Sequence, residues 1–534
     1  MRDWWRGSVT YQVYPRSFED TTGNGVGDLR GVILRLPHIA SLGVDAIWLS
    51  PIFTSPQADM GYDVSDYCDI DPLFGTLADF DALVERAHEL GLKVIIDQVL
   101  SHSSDQHPFF KESRASRDGA YADFYVWADA NPDGSPPNNW LSVFGGSAWE
   151  WDSRRRQYYL HNFLPSQPDL NFHNPAVQDW ALSVLRFWLE RGVDGFRLDT
   201  VNYYFHDQAL RSNGPLAQKE NRPPANPYEL QDHEFSKSRP ENPAWLERMR
   251  ALLDEYDGRT MVGEVGDAPH RAVEIMAEYT RAGRLHMAYS FDMLGPEFTP
   301  DHFRSKISGF FRGAPEGCPA WAFSNHDVVR HVSRWADHGK AADIAKLAAA
   351  VLLSFEGSIY LYQGEELGQL ETEIEFHELT DPPGLRFWPD YKGRDGCRTP
   401  MVWDNGPHGG FTQGTPWLPV KLPQLEHNAA GQVGQPDSVL ETYRAIVAFR
   451  QATEALRLGR TQFIDAPGPV LAFVREGDVP VFCVFNLSAK PVDLVIDGLG
   501  EGIGPSKAAF DGRKLQLGPN GYAWATTTGE VTIT

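Results

Sequence analysis

Gly195-Phe196-Arg197-Leu198-Asp199 sets an arginine and a carboxylate two positions apart in an apolar run. Side chains alternate along a strand. Read as a short buried strand, the stretch points Arg197 and Asp199 one way and Phe196 and Leu198 the other. An arginine beside a carboxylate favours the ionised form that a nucleophilic acid needs. Two further acidic segments follow, Met261-Val262-Gly263-Glu264-Val265 and Phe323-Ser324-Asn325-His326-Asp327. Three carboxylates at strand ends form a constellation for glycosidic chemistry.

Outward from this stretch, short apolar strands alternate with helical segments. The expected strands are Val9 to Tyr14, Ala46 to Leu49, Val94 to Asp97, Gly195 to Asp199, Met261 to Glu264, Met287 to Phe291, Ala320 to Ser324 and Ile359 to Tyr362. Eight strands in βα order predict a (β/α)8 TIM barrel, an α/β fold. Helix punctuation agrees. Thr76 and Asp79 open the segment from Leu77 to Leu90, which Gly91 stops. Asn174-Pro175 opens the next, which ends at Gly192.

Three places break the rhythm. The connection from Asp97 to Gly195 is about three times the usual length, and it is rich in Pro, Gly, Asn and Trp. It predicts an inserted domain after strand 3, residues 104–172, between barrel parts 1–103 and 173–455. Two excursions, 203–243 and 369–424, lengthen later loops on the face where barrels place their sites. From 456 to 534 short β-like runs between Gly, Pro and Asp predict a C-terminal all-β sandwich domain.

The chain has 534 residues, enough for two or three domains. Net charge is −24, which disfavours nucleic acid or an anionic membrane and suits a small neutral substrate. The four cysteines, Cys68, Cys318, Cys397 and Cys483, form no CxxC pair, so a reduced, cytoplasmic setting is expected. No apolar run approaches a membrane span, and Met1 to Trp5 lack a signal-peptide core. Monomer and homodimer both stay open. The histidines lack the HxH spacing of a metallohydrolase, so no cofactor is expected for catalysis.

The motifs Asp97-Gln98-Val99-Leu100-Ser101-His102, Gln167-Pro168-Asp169-Leu170-Asn171, Gly195 to Thr200, Gly263-Glu264-Val265 and Phe323 to Asp327 occur in this order. With Tyr11-Gln12-Val13-Tyr14-Pro15-Arg16-Ser17-Phe18, they make the chain resemble glycoside hydrolase family 13, the α-amylase family. The likeness is narrowest to its α-glucosidase and oligo-1,6-glucosidase group. It implies Asp199 as nucleophile, Glu264 as acid and then base, and Asp327 as transition-state stabiliser. It implies that Arg197 orients Asp199 and that His102 and His326 bond the glucose. Asp59 would cap the nonreducing end with an arginine, Arg394 before Arg398, and Tyr62 would stack on the ring. A pocket closed in this way implies exo-action. Phe163 and Phe291 read equally as walls of the sugar site and as core. Thr200 after the nucleophile implies α-1,4 preference. Sugar or alcohol acceptors in place of water would give transglucosylation. An α-1,6-, sucrose- or trehalose-specific enzyme, or a dedicated transferase, is the alternative. A noncatalytic relative would have lost the carboxylates this chain keeps.

Asp20, Thr22, Asn24, Val26 and Asp28 place oxygens at alternate positions in a Gly-rich turn, which suits a structural Ca²⁺ or Mg²⁺. The alternative is a turn without metal.

Overall fold

The structure, a computed structural model, describes residues 3–217 and 223–534. Met1, Arg2 and residues 218–222, the last within the expected excursion 203–243, lie outside the described residues. Eight parallel strands make the central sheet: β1 (Val9–Val13), β2 (Ala46–Leu49), β3 (Lys93–Gln98), β4 (Gly195–Leu198), β5 (Thr260–Val265), β6 (Met287–Ser290), β7 (Ala320–Trp321) and β8 (Ser358–Tyr362). Their order is β6-β5-β4-β3-β2-β1-β8-β7. A single parallel bridge, Ala288 to Pro319, joins β6 to β7 and closes the ring. β7 is shorter than the sequence predicts; the backbone leaves the ladder after Trp321, three residues before Ser324.

A helix follows each strand on the outside. Leu77–Glu89 starts with a capping box in which Thr76 and Asp79 satisfy each other's backbone N–H groups. Pro175–Glu190 starts with Asn174 accepting from Ala176 N. Residues of β1 to β8 are almost wholly buried, as expected where helices cover one face and the barrel interior the other.

The two faces of each strand end in different chemistry. Ala46 and Trp48, Ile95, Val262, Met287 and Tyr289, Ala320 and Tyr360 fill the barrel interior. Two residues beyond Ile95 comes Asp97, and two beyond Val262 comes Glu264. The period of two therefore carries these acids to the same inward side at the strands' C-terminal ends.

Between β3 and β4 the long connection folds separately. A helix, Pro108–Ala115, precedes a three-stranded antiparallel sheet of Trp127–Ala128, Trp149–Asp152 and Gln157–Leu160. A bridge from His102 to Asp169 ties this unit to the barrel rim, and one from Tyr125 to Leu170 joins two segments within it.

After the helix Val439–Ala452 comes an antiparallel seven-stranded sheet beginning at Thr461. Its two long strands, Val492–Ile503 and Tyr522–Ile533, shift register past Asp497 and again past Leu499. The sheet folds over at these bulges, and Val470, Phe482 and Val484 pack with Leu494, Leu515 and Leu517 as the core of a sandwich. Fully buried Arg475 fastens it to the barrel by donating to Ser354 O and Gly459 O.

Candidate active site

Arg197 organises the floor of the barrel mouth. It is fully buried at the inward face of β4. Nη1 donates to Asp199 Oδ1 at 2.5 Å and to Asp97 Oδ1 at 2.9 Å. Nη2 reaches Glu264 Oε2 at 2.6 Å and Tyr289 OH at 2.8 Å. One guanidinium thus gathers three acids from β3, β4 and β5, and Trp48 covers it at 4.9 Å. A buried arginine with three acidic partners meets the requirement that buried charge be paired.

Burial pushes the Glu264 carboxyl well above its ordinary range; Arg197 opposes this, and the charges of Asp199 and Asp327 add to it. Burial also raises Asp97 to about 7, against the pull of Arg197. Two acids at the same arginine therefore hold protons more tightly than usual, the arrangement expected of an acid catalyst beside a charged partner.

Asp327 closes the group from the other side. Arg394 Nη1 donates to its Oδ1 at 3.1 Å and Arg398 Nη2 to the same oxygen at 3.0 Å. Burial opposes the charge, but Arg394, Arg398 and Arg197 outweigh it and hold the carboxyl well below the usual range. His326 is neutral, since burial lowers it to about 3. Gln12 Nε2 donates to its Nδ1 at 2.8 Å, which leaves Nε2–H to donate to Tyr62 OH at 2.5 Å. Tyr62 stacks on His326 at 5.4 Å and donates its own O–H to Asp97 Oδ2 at 3.2 Å.

One end of the site is shut. Arg394 Nη2 donates to Asp59 Oδ1 at 2.9 Å, and Gln167 Nε2 donates to Asp59 Oδ2 at 3.0 Å. Both arginines of the late excursion reach Asp327, but the pair to Asp59 is made by Arg394. His102 lies against Phe163, ring centroids 5.1 Å apart. Phe163 continues to Tyr203 at 5.8 Å and to Phe144 at 5.5 Å. Phe291, just past β6, is 37% exposed and joins none of these ring contacts among the described residues.

Three contributors were not assigned from the sequence. Asp381 binds Arg394 through Nε, Nη2 and backbone N, and so aims its guanidinium. It sits in a loop without periodicity; only its place before Pro382-Pro383 marks it as the start of a short helix. Phe144 from the inserted unit lies 4.9 Å under the Arg394 guanidinium. The following Gly145, at φ +93°, lets the 382–387 helix approach; a Cβ there would stand 2.4 Å from Phe387 Cζ. Tyr289 on β6 braces Arg197 from the far side.

The turn holding Asp20, Thr22, Asn24, Val26 and Asp28 is closed by its own donors. Asp20 accepts from Thr22 N, Gly23 N, Gly25 N and Thr412 Oγ1. Asp28 accepts from Thr21 N and from Gly31 N, where it caps a helix, and Asn24 accepts from Val26 N. These oxygens thus already have N–H and O–H partners within the protein, which a structural cation would have to share or displace.

Residues 12–459 match the family model for the α-amylase catalytic domain. The chain belongs to the α-amylase family. It is an enzyme, a glycoside hydrolase. A probable α-glucosidase of Rhizobium meliloti is 58% identical over 495 residues, which cover 91% of this chain and 90% of that protein. An oligo-1,6-glucosidase of Heyndrickxia coagulans is 37% identical over 92% of this chain and 93% of its own. Among solved structures, the α-glucosyl transfer enzyme XgtA superimposes with a TM-score of 0.94 at 50% identity, covering 98% of this chain and 99% of that one. No helix among the described residues of this α-amylase family member is long and apolar enough to cross a membrane.

Proposed function

We propose that this enzyme is a retaining, exo-acting α-glucosidase that releases the nonreducing-end glucose of maltose, short α-1,4-oligosaccharides and aryl or alkyl α-glucosides. The observation that carries the reading is the sharing of Arg197 by Asp199 and Glu264, at 2.5 Å and 2.6 Å. Two carboxyls on one guanidinium stand close together, as a double displacement needs (about 5–5.5 Å).

In the first half, an Asp199 oxygen attacks the anomeric carbon while Glu264 gives its proton to the leaving oxygen. In the second, water attacks the same carbon, Glu264 takes the water's proton, and the Asp199 carboxylate leaves. Asp327 stabilises the positive charge of both transition states. The Arg394–Asp59 pair meets the terminal hydroxyls, and Tyr62, His102 and His326 hold the ring. The closed end supports removal of one glucose per event.

The likeness to an α-glucosyl transfer enzyme favours a second activity, transfer of glucose to alcohol acceptors in place of water. Thr200, touching Asp199 at 3.3 Å, supports the α-1,4 preference only to the extent of a pocket difference of about 1–3 kcal/mol.

The test is a rate comparison on maltose, isomaltose, sucrose, trehalose and soluble starch, with the first product anomer read by NMR. Maltose leading, starch nearly inert and α-glucose released first is the expected result. β-Glucose first would overturn the retaining mechanism. Isomaltose, sucrose or trehalose leading would overturn the linkage.

A further inference from the structure

Thr200 follows the proposed nucleophile in a backbone conformation that threonine rarely adopts, with φ at +42°. A β-branched residue there is strained and persists only where its surroundings over-determine it. They do. Thr200 N donates to Glu264 Oε2 at 3.2 Å, and Thr200 O accepts from Tyr203 N at 2.9 Å. This twist leaves the hydroxyl between two acceptors, Asp199 Oδ2 at 3.3 Å and Ser101 Oγ at 2.9 Å.

The hydrogen positions follow from the neighbours. His102 is neutral, since burial lowers it, and its Nε2 faces the Tyr62 carbonyl oxygen at 3.0 Å. A carbonyl only accepts, so Nε2 carries the proton and Nδ1 does not. Ser101 Oγ, 2.9 Å from Nδ1, therefore donates to it and turns lone pairs toward Thr200. The single Thr200 proton thus has two places to go. On the nucleophile, Oδ1 is taken by Arg197. Oδ2 meets only the Thr200 hydroxyl among the described contacts and is the oxygen free to attack.

We propose that the Thr200 hydroxyl is a two-position donor serving the second half of the reaction, an inference that rests on the retaining mechanism above. As Oδ2 bonds the anomeric carbon and the C1–O bond to the leaving group breaks, the hydroxyl donates to Ser101 and the attacking lone pair is unopposed. When water attacks, the C1–Oδ2 bond breaks and its electron pair returns to Oδ2. The hydroxyl then swings back and stabilises the departing carboxylate. The proton stays on Thr200 throughout, and Glu264 handles the water's proton. Thr200 is in this sense a further catalytic residue, acting on the intermediate's breakdown rather than its formation.

The experiment is stopped-flow hydrolysis of 4-nitrophenyl α-glucoside by T200V, T200S and S101A. T200V should lower kcat about tenfold, leave kcat/KM within about twofold, and show a nitrophenol burst approaching one per site. T200S should restore kcat, and S101A, which removes the alternative acceptor, should lower kcat/KM instead. Equal loss of kcat and kcat/KM in T200V without a burst would overturn the proposal, as would T200S behaving like T200V. Failure of the retaining mechanism itself would show differently, as β-glucose released first by the unmodified enzyme.

Discussion

Arg394 Nη2 lies 2.9 Å from Asp59 Oδ1, joining residues 335 positions apart over one end of the pocket. Burial raises Asp59 to about 6, and Arg394 and Arg398 oppose it. Removing one partner of such a pair leaves a buried charge uncompensated, at about 3–5 kcal/mol. Arg394→Ala should therefore lower kcat/KM on maltose by at least about 100-fold. Arg394→Lys should recover little, since a point charge cannot serve Asp59, Asp327 and Asp381 at once. Steady-state kinetics on purified, folded variants decide this; a lysine variant near the original rate would contradict it.

Glu264 must be protonated to act as acid, and its raised position puts its titration above the ordinary carboxyl range. Activity should accordingly be lost as pH rises through that value, with Glu264 as the group behind the alkaline limb of kcat/KM. Glu264→Gln should reduce turnover of maltose far more than that of 2,4-dinitrophenyl glucoside, whose leaving group needs no proton. Rates on the two substrates across pH check this, and equal losses would remove Glu264 from the acid role.

Glu365, buried just past β8, accepts from Tyr362 N and Tyr443 OH, and burial raises it from 4.5 to about 8. A raised acid binds its proton more tightly folded than unfolded. Its stabilising contribution is complete below the unfolded value and is lost as pH rises through about 8. Glu365→Gln supplies an uncharged group of the same shape. The variant's Tm should gain on the parent's between pH 6 and pH 9; a constant difference across that range would be contrary to expectation.

Among the described residues, Arg475 has no carboxylate partner in its hydrogen bonds. It donates to two carbonyls, and burial lowers it to about 10. Arg475→Met should strand Ser354 O and Gly459 O, costing about 1–3 kcal/mol for each buried group left unsatisfied. Thermal melts should fall while activity per folded molecule stays unchanged. Loss of specific activity without loss of Tm would point to a different role.

The turn around Asp20 holds itself together through its own donors. Chelation with EDTA should leave both Tm and maltase rate unaltered, and added Ca²⁺ should raise neither. A Tm rise of several degrees with millimolar Ca²⁺ would show that the cation displaces those bonds after all.

The eight barrel strands were legible because apolar runs with period two name their own faces, and Arg197 and Asp199 inherit the inward one from that period. In the structure the same period brings Glu264 to their side. It failed at β7, where the run Ala320 to Ser324 reads as a strand but pairs only through Trp321. Asp381 and Phe144 were invisible for another reason. Their roles come from folding a loop of one unit against a loop of another, and no local pattern encodes that meeting. Phe291 stayed open because an aromatic after a strand looks the same whether it faces sugar, core or water.

The shortness of β7 has one more outcome. Asp327 is not anchored by a sheet ladder, as Asp199 and Glu264 are; it is held by two arginines lent from the segment after β8. In the proposed mechanism that segment also meets the terminal sugar, which would gear recognition and rate enhancement together. Exchanging it for another loop would retune both at once, whereas changes elsewhere on the rim can alter preference and spare speed.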